Sequence, residues 1–257
     1  MDLSALMGLC CTPFPKPAKA DPMEKPKPDP SLLRPMRMFA GLDASALSAV
    51  MEHGQARRVA KGSIVFKQGD SASTCHALID GRIKIQQTGP DGQQVVVQFV
   101  GPGEMYGTLA MFLSGYPGDA VAVTDSVDLV WSVETMKDLM LTYPQIAMNS
   151  MAMLGDRLED LQTRVRQLST QRVERRVAYA LLRLARQAGR EVSAGVEISF
   201  PLTRQDLAEM TGTTLHTVSR ILSAWESDGL TAGGRQQIVV VKPDTLLAIA
   251  EDLPRPA

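Results

Sequence analysis

A stripe of apolar residues near the middle of the 257-residue chain restricts its possible folds more than any other feature. From Ala147 to Leu168 these residues are spaced alternately by four and three positions, and charged residues occupy the other faces. The spacing predicts one helix over residues 146–170 with an a/d seam that stays in register for three heptads. Because the seam is narrow, it favours a parallel coiled coil with a second copy over packing against the chain's own N-terminal part. The expected dimer contacts are Met151, Leu154, Leu158, Leu161, Val165 and Leu168.

Short β-like segments fill residues 31–145, which we expect to form a domain of their own after one short helix, Leu42–Met51. Turn sequences such as Gln68-Gly69-Asp70 separate the segments. Many short strands at close, regular spacing indicate an all-β sandwich or a barrel-like roll. The predicted strands are Arg57–Val59, Ser63–Phe66, His76–Ile79, Arg82–Gln87, Gln94–Val100, Ala120–Val123 and Leu129–Val133.

Residues 171–257 carry the pattern of a winged helix-turn-helix, so the whole chain is predicted to be α+β. A helix is expected over Gln171–Gln187, and the tetrapeptide that begins at Thr203 resembles a capping box with Asp206 in place of Glu. Gly212 can take the positive φ that the turn between the two motif helices requires. The second helix then presents short polar groups and one planar donor, as reading a major groove demands. These residues are Thr214, His216, Thr217, Ser219 and Arg220.

Local charge supports contact with nucleic acid, although the formal net charge of the whole chain is only −1. Between Arg164 and Arg190 there are eight arginines against one acid, Glu174. Neutralising phosphates supplies much of the affinity of DNA-binding proteins. Thr203 and Gln205, at the start of the first motif helix, are expected to contact phosphate, as is Arg235 in the wing.

Composition excludes several other classes of protein. No apolar run approaches the length that a membrane-spanning helix needs, so no membrane association is expected. Three cysteines without CxxC spacing predict neither a disulfide framework nor a zinc site. Residues 1–30 are rich in Pro and Lys and are predicted to be a disordered tail. With no secretion signal evident, the cytoplasm is the expected location.

Four stretches together resemble one family of regulators. They are KGSIVFKQGD (61–70), HALIDGRIKI (76–85), GEMYGTLAMF (103–112) and LTRQDLAEMTGTTLHTVSRILSAWE (202–226). The sequence resembles the family of the cyclic-AMP receptor protein and the fumarate–nitrate reductase regulator (CRP/FNR). The resemblance implies a cyclic-nucleotide-binding-like β-roll, a dimerisation helix and a winged helix-turn-helix. It further implies a homodimer that binds palindromic double-stranded DNA and contacts RNA polymerase. No enzymatic activity is expected, because the sequence shows no nucleophile–base motif, no phosphate-binding loop and only three histidines.

The sequence departs from the family where its cyclic-AMP sensors bind their ligand. Those members carry a Glu for the ribose hydroxyl and an Arg-Ser pair for the phosphate, and here the matching residues are Thr108 and Gly118-Asp119. A carboxylate at Asp119 would repel a phosphate, so cyclic AMP is disfavoured. An iron–sulfur cluster is disfavoured as well, because Cys10 and Cys11 are adjacent and Cys75 lies in a strand. The candidate ligand-binding residues are Glu104, Thr108, Gly118, Asp119 and His76.

Other signals stay open at this stage. Some family members sense nitric oxide or carbon monoxide through haem, and imidazole is a good axial ligand. His76 is then the best candidate for the iron, with no certain metal ligand in the chain. The alternatives are a redox role for Cys75, a regulator controlled by its abundance alone, and a β-roll that recruits a protein partner without DNA.

One residue of the DNA-reading helix also departs from the family. Most members have Glu where His216 stands, and an imidazole donates to guanine acceptors whereas Glu accepts from cytosine. We therefore expect a half-site related to the family's, with a changed base opposite His216. Arg220 is expected to bind guanine O6 and N7 in bidentate fashion.

Overall fold

The structure, a computed structural model, describes residues 29–234 and 236–254. Most of the predicted N-terminal tail lies outside the described residues, as do Cys10, Cys11 and Arg235. Within the described ranges, no helix is both long and apolar enough to cross a membrane.

The N-terminal domain is a β-roll that begins after a short helix, α1 (Ala44–Glu52). The Asp43 carboxylate caps this helix by accepting a hydrogen bond from the Ala46 N–H. Eight strands follow: β1 (Gln55–Val59), β2 (Ile64–Phe66), β3 (Thr74–Asp80), β4 (Ile83–Thr88), β5 (Gln94–Val100), β6 (Met105–Tyr106), β7 (Asp119–Ala122) and β8 (Ser126–Ser132).

The eight strands form two antiparallel four-stranded sheets, in the orders β1-β8-β3-β6 and β2-β7-β4-β5. All seven predicted strands are present, with ends that differ by no more than a few residues. The short strand β6 was not predicted, because its two residues lie between turn glycines and show no alternation. A bulge in β5 leaves Val97 without an opposite residue in β4, since Ile85 pairs with Gln98 and Gln86 with Val96.

Two helices lead out of the roll. The first, α2 (Val133–Thr142), was not predicted, and Val133 was wrongly placed at the end of a strand. Ser132 ends β8 and at once caps α2, because its hydroxyl oxygen accepts a hydrogen bond from the Thr135 N–H. The second, α3 (Pro144–Thr170), is the long helix predicted from the apolar stripe.

The C-terminal domain is a winged helix-turn-helix. Its elements are α4 (Val173–Ala188), β9 (Gly189–Val192), β10 (Gly195–Ile198), α5 (Arg204–Thr211), α6 (Leu215–Ser227), β11 (Thr231–Gly234), β12 (Gln237–Val240) and α7 (Pro243–Glu251). The strands form one sheet in the order β11-β12-β10-β9, in which the hairpin of β11 and β12 is the wing. The capping box at Thr203 is confirmed, and Pro243 is the first residue of the last helix.

Each domain has its own hydrophobic core with one buried tryptophan. Trp131 lies in the core of the roll, where its indole N–H donates to the Val50 carbonyl at 2.9 Å. Trp225 lies in the core of the C-terminal domain. Val96 and Phe99, from β5 of the roll, are also buried in this second core. Burying such side chains contributes about 1.5–3 kcal/mol each, so the two domains pack closely against each other.

Candidate nucleic-acid interface and sensor site

Helix α5 begins with a closed network around Asp206. The Thr203 hydroxyl donates to the Asp206 carboxylate at 2.6 Å and accepts from the Asp206 N–H, while the Thr203 N–H donates to the same carboxylate. This reciprocal arrangement satisfies donors that helix N-termini otherwise leave unpaired. The Thr203 hydroxyl proton is therefore already donated to Asp206. To donate to a DNA phosphate, Thr203 must give up this hydrogen bond. Gln205, the second residue predicted to contact phosphate, is exposed.

The turn between α5 and α6 depends on Gly212. Its φ of 62° lies in the left-handed region, which costs a residue with a Cβ atom about 1 kcal/mol or more. Arg176 of α4 holds the end of α5, since its guanidinium donates to the Thr211 carbonyl at 2.9 Å. Arg204 fixes the angle between α5 and α6 by pairing with Glu226 at 3.0 Å. Arg176 therefore holds the end of α5, and Arg204 holds α6 against α5.

The polar face predicted to read DNA is open to solvent. Thr214, His216 and Arg220 are exposed, while Thr217 and Ser219 are partly exposed. Thr214 caps α6, because its hydroxyl oxygen accepts from the Thr217 N–H. On the opposite face, Val218, Leu222 and Trp225 are buried in the domain core. The helix thus presents its long donor and its imidazole outward from a rigid base.

A cleft of about 480 Å³ lies beside this face, between the starts of α5 and α6 and the wing. Thr203 and Gln205, two of the predicted phosphate contacts, line it. Sequence reasoning missed the other residues of the cleft, which no local pattern marks as neighbours. These are Arg204, Leu215, Gly234 and Gln236.

Several of the arginines predicted to neutralise phosphates have partners within the protein. Arg175 donates to the Ala250 carbonyl, and Arg190 pairs with Glu197. Arg164 and Arg176 also donate to backbone carbonyls. These four side chains have acceptors within the protein, so the local excess of positive charge overstates the number of arginines free for DNA.

The apolar seam of α3 is largely exposed. The exposed fraction is 58% for Leu158 and 64% for Val165, and Met151, Leu161 and Leu168 are exposed as well. Among the six expected dimer contacts, Leu154 alone is half-buried, as is Ala147 at the start of the seam. The side of α3 that faces the roll is a different one and includes the buried Ile146 and Ser150.

The interior of the roll contains a buried hydrogen-bond network around His76. This side chain is 1% exposed, and its Nδ1 lies 3.0 Å from the Asp128 carboxylate. Its Nε2 lies 2.9 Å from the Thr74 hydroxyl, which in turn contacts the Tyr116 hydroxyl. Asp128 also accepts from Tyr106 at 2.6 Å and from Arg57 at 3.0 Å. With a carboxylate facing Nδ1, the neutral imidazole carries its proton there and accepts at Nε2.

Burial and hydrogen bonding together set the pKa values in this network. It disfavours the imidazolium and lowers the pKa of His76, although Asp128 partly opposes the shift. Burial alone would raise the pKa of the Asp128 carboxyl, but the hydrogen bonds from its three partners outweigh it and lower that pKa. Near neutral pH the network therefore holds a neutral imidazole beside an ionised carboxylate.

The surroundings of His76 do not fit a haem. A ligand to iron must offer a free nitrogen lone pair, and both ring nitrogens of His76 have hydrogen-bond partners. The imidazole also stacks on the Tyr106 ring, with 4.8 Å between the ring centroids. The ring of Phe66 stacks on Tyr116 at 3.9 Å, so aromatic side chains fill the space next to the imidazole.

The positions matching the nucleotide-binding residues of cyclic-AMP sensors do not fit a phosphate. A Cβ atom added at Gly118 would come within 2.6 Å of the Gln86 carbonyl oxygen, so no arginine could stand there without a backbone shift. The Asp119 carboxylate accepts a hydrogen bond from the Gln68 N–H at 2.7 Å and adds a negative charge. Thr108 begins a short 3-10 helix. The Glu104 carboxylate accepts a hydrogen bond from the Gly101 N–H.

Cysteine chemistry does not offer a sensor in the described residues. Cys75 is fully buried in β3, and burial raises the pKa of its thiol to about 12. Because the thiolate is the reactive form, this cysteine is inert at physiological pH. Within residues 29–234 and 236–254, no three His, Cys, Asp or Glu side chains cluster as metal ligands would.

Acidification should destabilise the roll through His76. The pKa of His76 is lowered in the folded state, so the unfolded chain binds a proton first as the pH falls below about 6.5. The stability that the neutral imidazole contributes is thus present above that pH and is lost below it, by at most about 1.4 kcal/mol per pH unit. Urea unfolding from pH 7.5 to 5 should show a shallower pH dependence for His76→Gln than for the wild type. Equal slopes would contradict this assignment, and His53→Gln, at an exposed position, is the control.

The winged helix-turn-helix with its open reading face, joined by a long helix to a β-roll, defines a DNA-binding transcription regulator. The Crp-like helix-turn-helix domain family matches residues 175–249, and the cyclic nucleotide-binding domain family matches residues 56–143. The cyclic AMP receptor protein of Thermus thermophilus is 30% identical over 214 residues, which cover 83% of this chain and 96% of that protein. The chain belongs to the CRP/FNR family of transcriptional regulators, as its sequence motifs predicted.

A further relative supports the same class, and a solved structure shares the fold. The fumarate and nitrate reduction regulatory protein of Salmonella typhimurium is 26% identical over 75% of this chain and 77% of its own length. In fold, the chain is similar to the c-di-GMP responsive global regulator CLP of Xanthomonas campestris, with a TM-score of 0.67. That likeness has 24% identity and covers 77% of this chain and 99% of that one. Regulators of the CRP/FNR family are not enzymes.

Proposed function

We propose that the protein acts as a homodimer in the cytoplasm and binds an inverted repeat in double-stranded DNA, with one α6 helix in the major groove of each half-site. From such a site it would regulate RNA polymerase at the neighbouring promoter. The observation that carries this proposal is the placement, on one chain, of an open reading face on α6 and an exposed apolar seam on α3. One surface fits DNA, and the other fits a second copy.

The seam fits a second copy of α3 for two reasons. Its apolar residues follow a/d spacing over three heptads, the pattern of a parallel two-stranded coiled coil. The seam residues from Met151 to Leu168 are mostly exposed, whereas α3 packs on its own roll through another side. Burying the exposed side chains in a dimer removes apolar surface from water, at roughly 25 cal/mol per Å².

The reading face supports a half-site that contains guanine. The Arg220 guanidinium is a planar donor suited to guanine O6 and N7, and the His216 imidazole can donate to a neighbouring acceptor. Two such helices reach one face of a duplex when the half-sites lie about one helical turn, or roughly 34 Å, apart. The preferred site is therefore an inverted repeat with this spacing.

Operator binding is proposed to be independent of cyclic AMP. The space that an arginine would need at Gly118 is taken by the Gln86 backbone, and Asp119 places a negative charge beside it. Regulation by the amount of protein, or by a signal that repacks α3, is consistent with this arrangement. We hypothesise that such repacking would change the angle between the two α6 helices.

Selection from a pool of random duplexes tests the proposal. The full-length protein at fixed salt should enrich an inverted repeat, and its affinity for that repeat should not change when saturating cyclic AMP is added. Deletion of residues 190–257 should abolish duplex binding. Enrichment of no duplex, together with a protein complex that survives this deletion, would instead favour a roll that recruits a protein partner. A cyclic-AMP-dependent rise in affinity would refute the assignment of the sensor.

A further inference from the structure

We propose that Arg164 is a positioning residue that fixes the DNA-binding domain relative to α3 and so sets the distance between the two α6 helices of the dimer. The proposal rests on the proposed dimeric function and extends it to the contact between the domains. Three elements meet at this contact: β5 of the roll, α3 and α5. Arg164 lies on α3 and donates hydrogen bonds to both β5 and α5.

The guanidinium of Arg164 joins three backbone carbonyls from two domains. It donates to Val96 and Val97 of β5 at 3.1 and 3.3 Å, and to Met210 of α5 at 2.9 Å. The Met210 carbonyl lies in the last turn of α5, where helices leave acceptors without partners and carry negative charge. A planar guanidinium offers several donors in fixed directions, which a lysine cannot reproduce.

β5 offers these acceptors because it is the edge strand of its sheet and is bulged at Val97. Val97 is the extra residue of the bulge and has no opposite partner in β4. Its carbonyl accepts from the Arg164 guanidinium. Seven residues before Arg164, and so on the same face of α3, Arg157 reaches the next residue of the strand, Gln98.

Two further contacts support the same alignment of the domains. Lys84 of β4 pairs with Asp206 at 2.9 Å, and both side chains are largely buried. Asp206 is also the residue that closes the capping box at the start of α5. An apolar contact lies beside this pair, where the rings of Phe99 and Phe200 are 4.8 Å apart. The contact thus holds α5 at both its ends, by Lys84 at the start and by Arg164 at the finish.

The geometry links this contact to DNA binding without covering the reading face. Arg164 lies on α3, which carries the dimer seam, and its partner Met210 lies two residues before the turn that leads to α6. The exposed residues of α6 face solvent while the contact is made. The contact therefore orients the reading face and does not occlude it, so we infer that breaking it would lower operator affinity.

Comparison of paired and single half-sites provides the test. Arg164→Gln should weaken binding to the selected inverted repeat by about fivefold or more, the range of typical coupling between sites. Binding to a duplex with one half-site should change by less than about twofold, since the reading face is intact. The variant should also discriminate less between repeats whose half-sites are moved closer or farther by one base pair.

Arg166→Gln is the matched control. It removes the same charge from the same helix two residues away, at an exposed position, so any loss of affinity should be slight and equal on paired and single half-sites. Lys84→Gln is a second, independent variant and should reproduce the effect on the paired site. Circular dichroism and sedimentation would establish that each variant is folded and dimeric.

The outcomes separate this inference from the proposed function. If the wild type binds the repeat no better than a single half-site, the dimeric function fails and this inference fails with it. If the wild type prefers the repeat but folded Arg164→Gln and Lys84→Gln keep that preference, only the positioning role is overturned. Equal losses on paired and single sites would also overturn it, because they would indicate damage to the reading face itself.

Discussion

Replacing Leu158 and Val165 together by Glu should convert the protein to a monomer and weaken its binding to the inverted repeat by about a hundredfold or more. Both side chains lie on the exposed seam of α3, where a dimer would place like charges opposite each other in an apolar interface. Each half-site would then be bound independently, without the gain that linkage of two binding modules provides. Sedimentation equilibrium and a duplex titration at one fixed salt concentration measure the two effects.

The control for the seam variant introduces the same charges elsewhere. Leu141→Glu combined with Ala152→Glu places one carboxylate on α2 and one on α3, both at exposed positions off the seam. This variant should remain a dimer with the affinity of the wild type. A monomeric wild type, or a dimer that survives Leu158→Glu with Val165→Glu, would show that the seam serves some other contact.

Replacing Arg220 by Ala should remove about 1–3 kcal/mol of binding free energy per half-site, or about 2–6 kcal/mol for the repeat. The corresponding loss of affinity is at least roughly thirtyfold. A bidentate pair to guanine is lost in each half-site, while the rest of α6 keeps its capped, packed conformation. The specificity should relax as well, because alanine offers no hydrogen-bond donor that distinguishes guanine from the other bases at the contacted base pair.

Arg186→Ala distinguishes base reading from general charge. Arg186 is exposed on α4, and its loss removes one positive charge without touching the reading face. It should weaken binding slightly and equally across sequences, and this loss should shrink at higher salt. If Arg220→Ala, like Arg186→Ala, loses the same affinity for the operator as for random duplex, Arg220 contacts only phosphate and the base assignment is wrong.

The sequence predicted those parts of the fold that local chemistry determines. The a/d spacing identified α3, turn glycines separated the strands of the roll, and Thr203 with Asp206 identified the start of α5. Helix α2 escaped prediction because a strand residue, Ser132, is also its N-cap, so the two elements follow each other without a turn. The short strand β6 and the hairpin of β9 and β10 depend on pairing partners and carry too few residues for a pattern.

The site divides in the same way. The reading face of α6 could be predicted, since helical spacing alone decides which of its side chains point outward. The partners of His76 could not, because Asp128 and Tyr106 are brought to it by neighbouring strands. Likewise, the excess of arginines was visible in the sequence, but the pairing of Arg175 and Arg176 with backbone carbonyls depends on tertiary packing.

The placement of the two tryptophans has a practical consequence for spectroscopy. The chain has only these two indoles, and each lies in the core of a different domain. Fluorescence of Trp131→Phe and Trp225→Phe would therefore report separately on the melting of each half of the molecule. Val96 and Phe99 of β5 are buried in the core of the C-terminal domain. Coincident emission changes would therefore reveal that the two domains unfold as one cooperative unit, and separate changes would reveal two units.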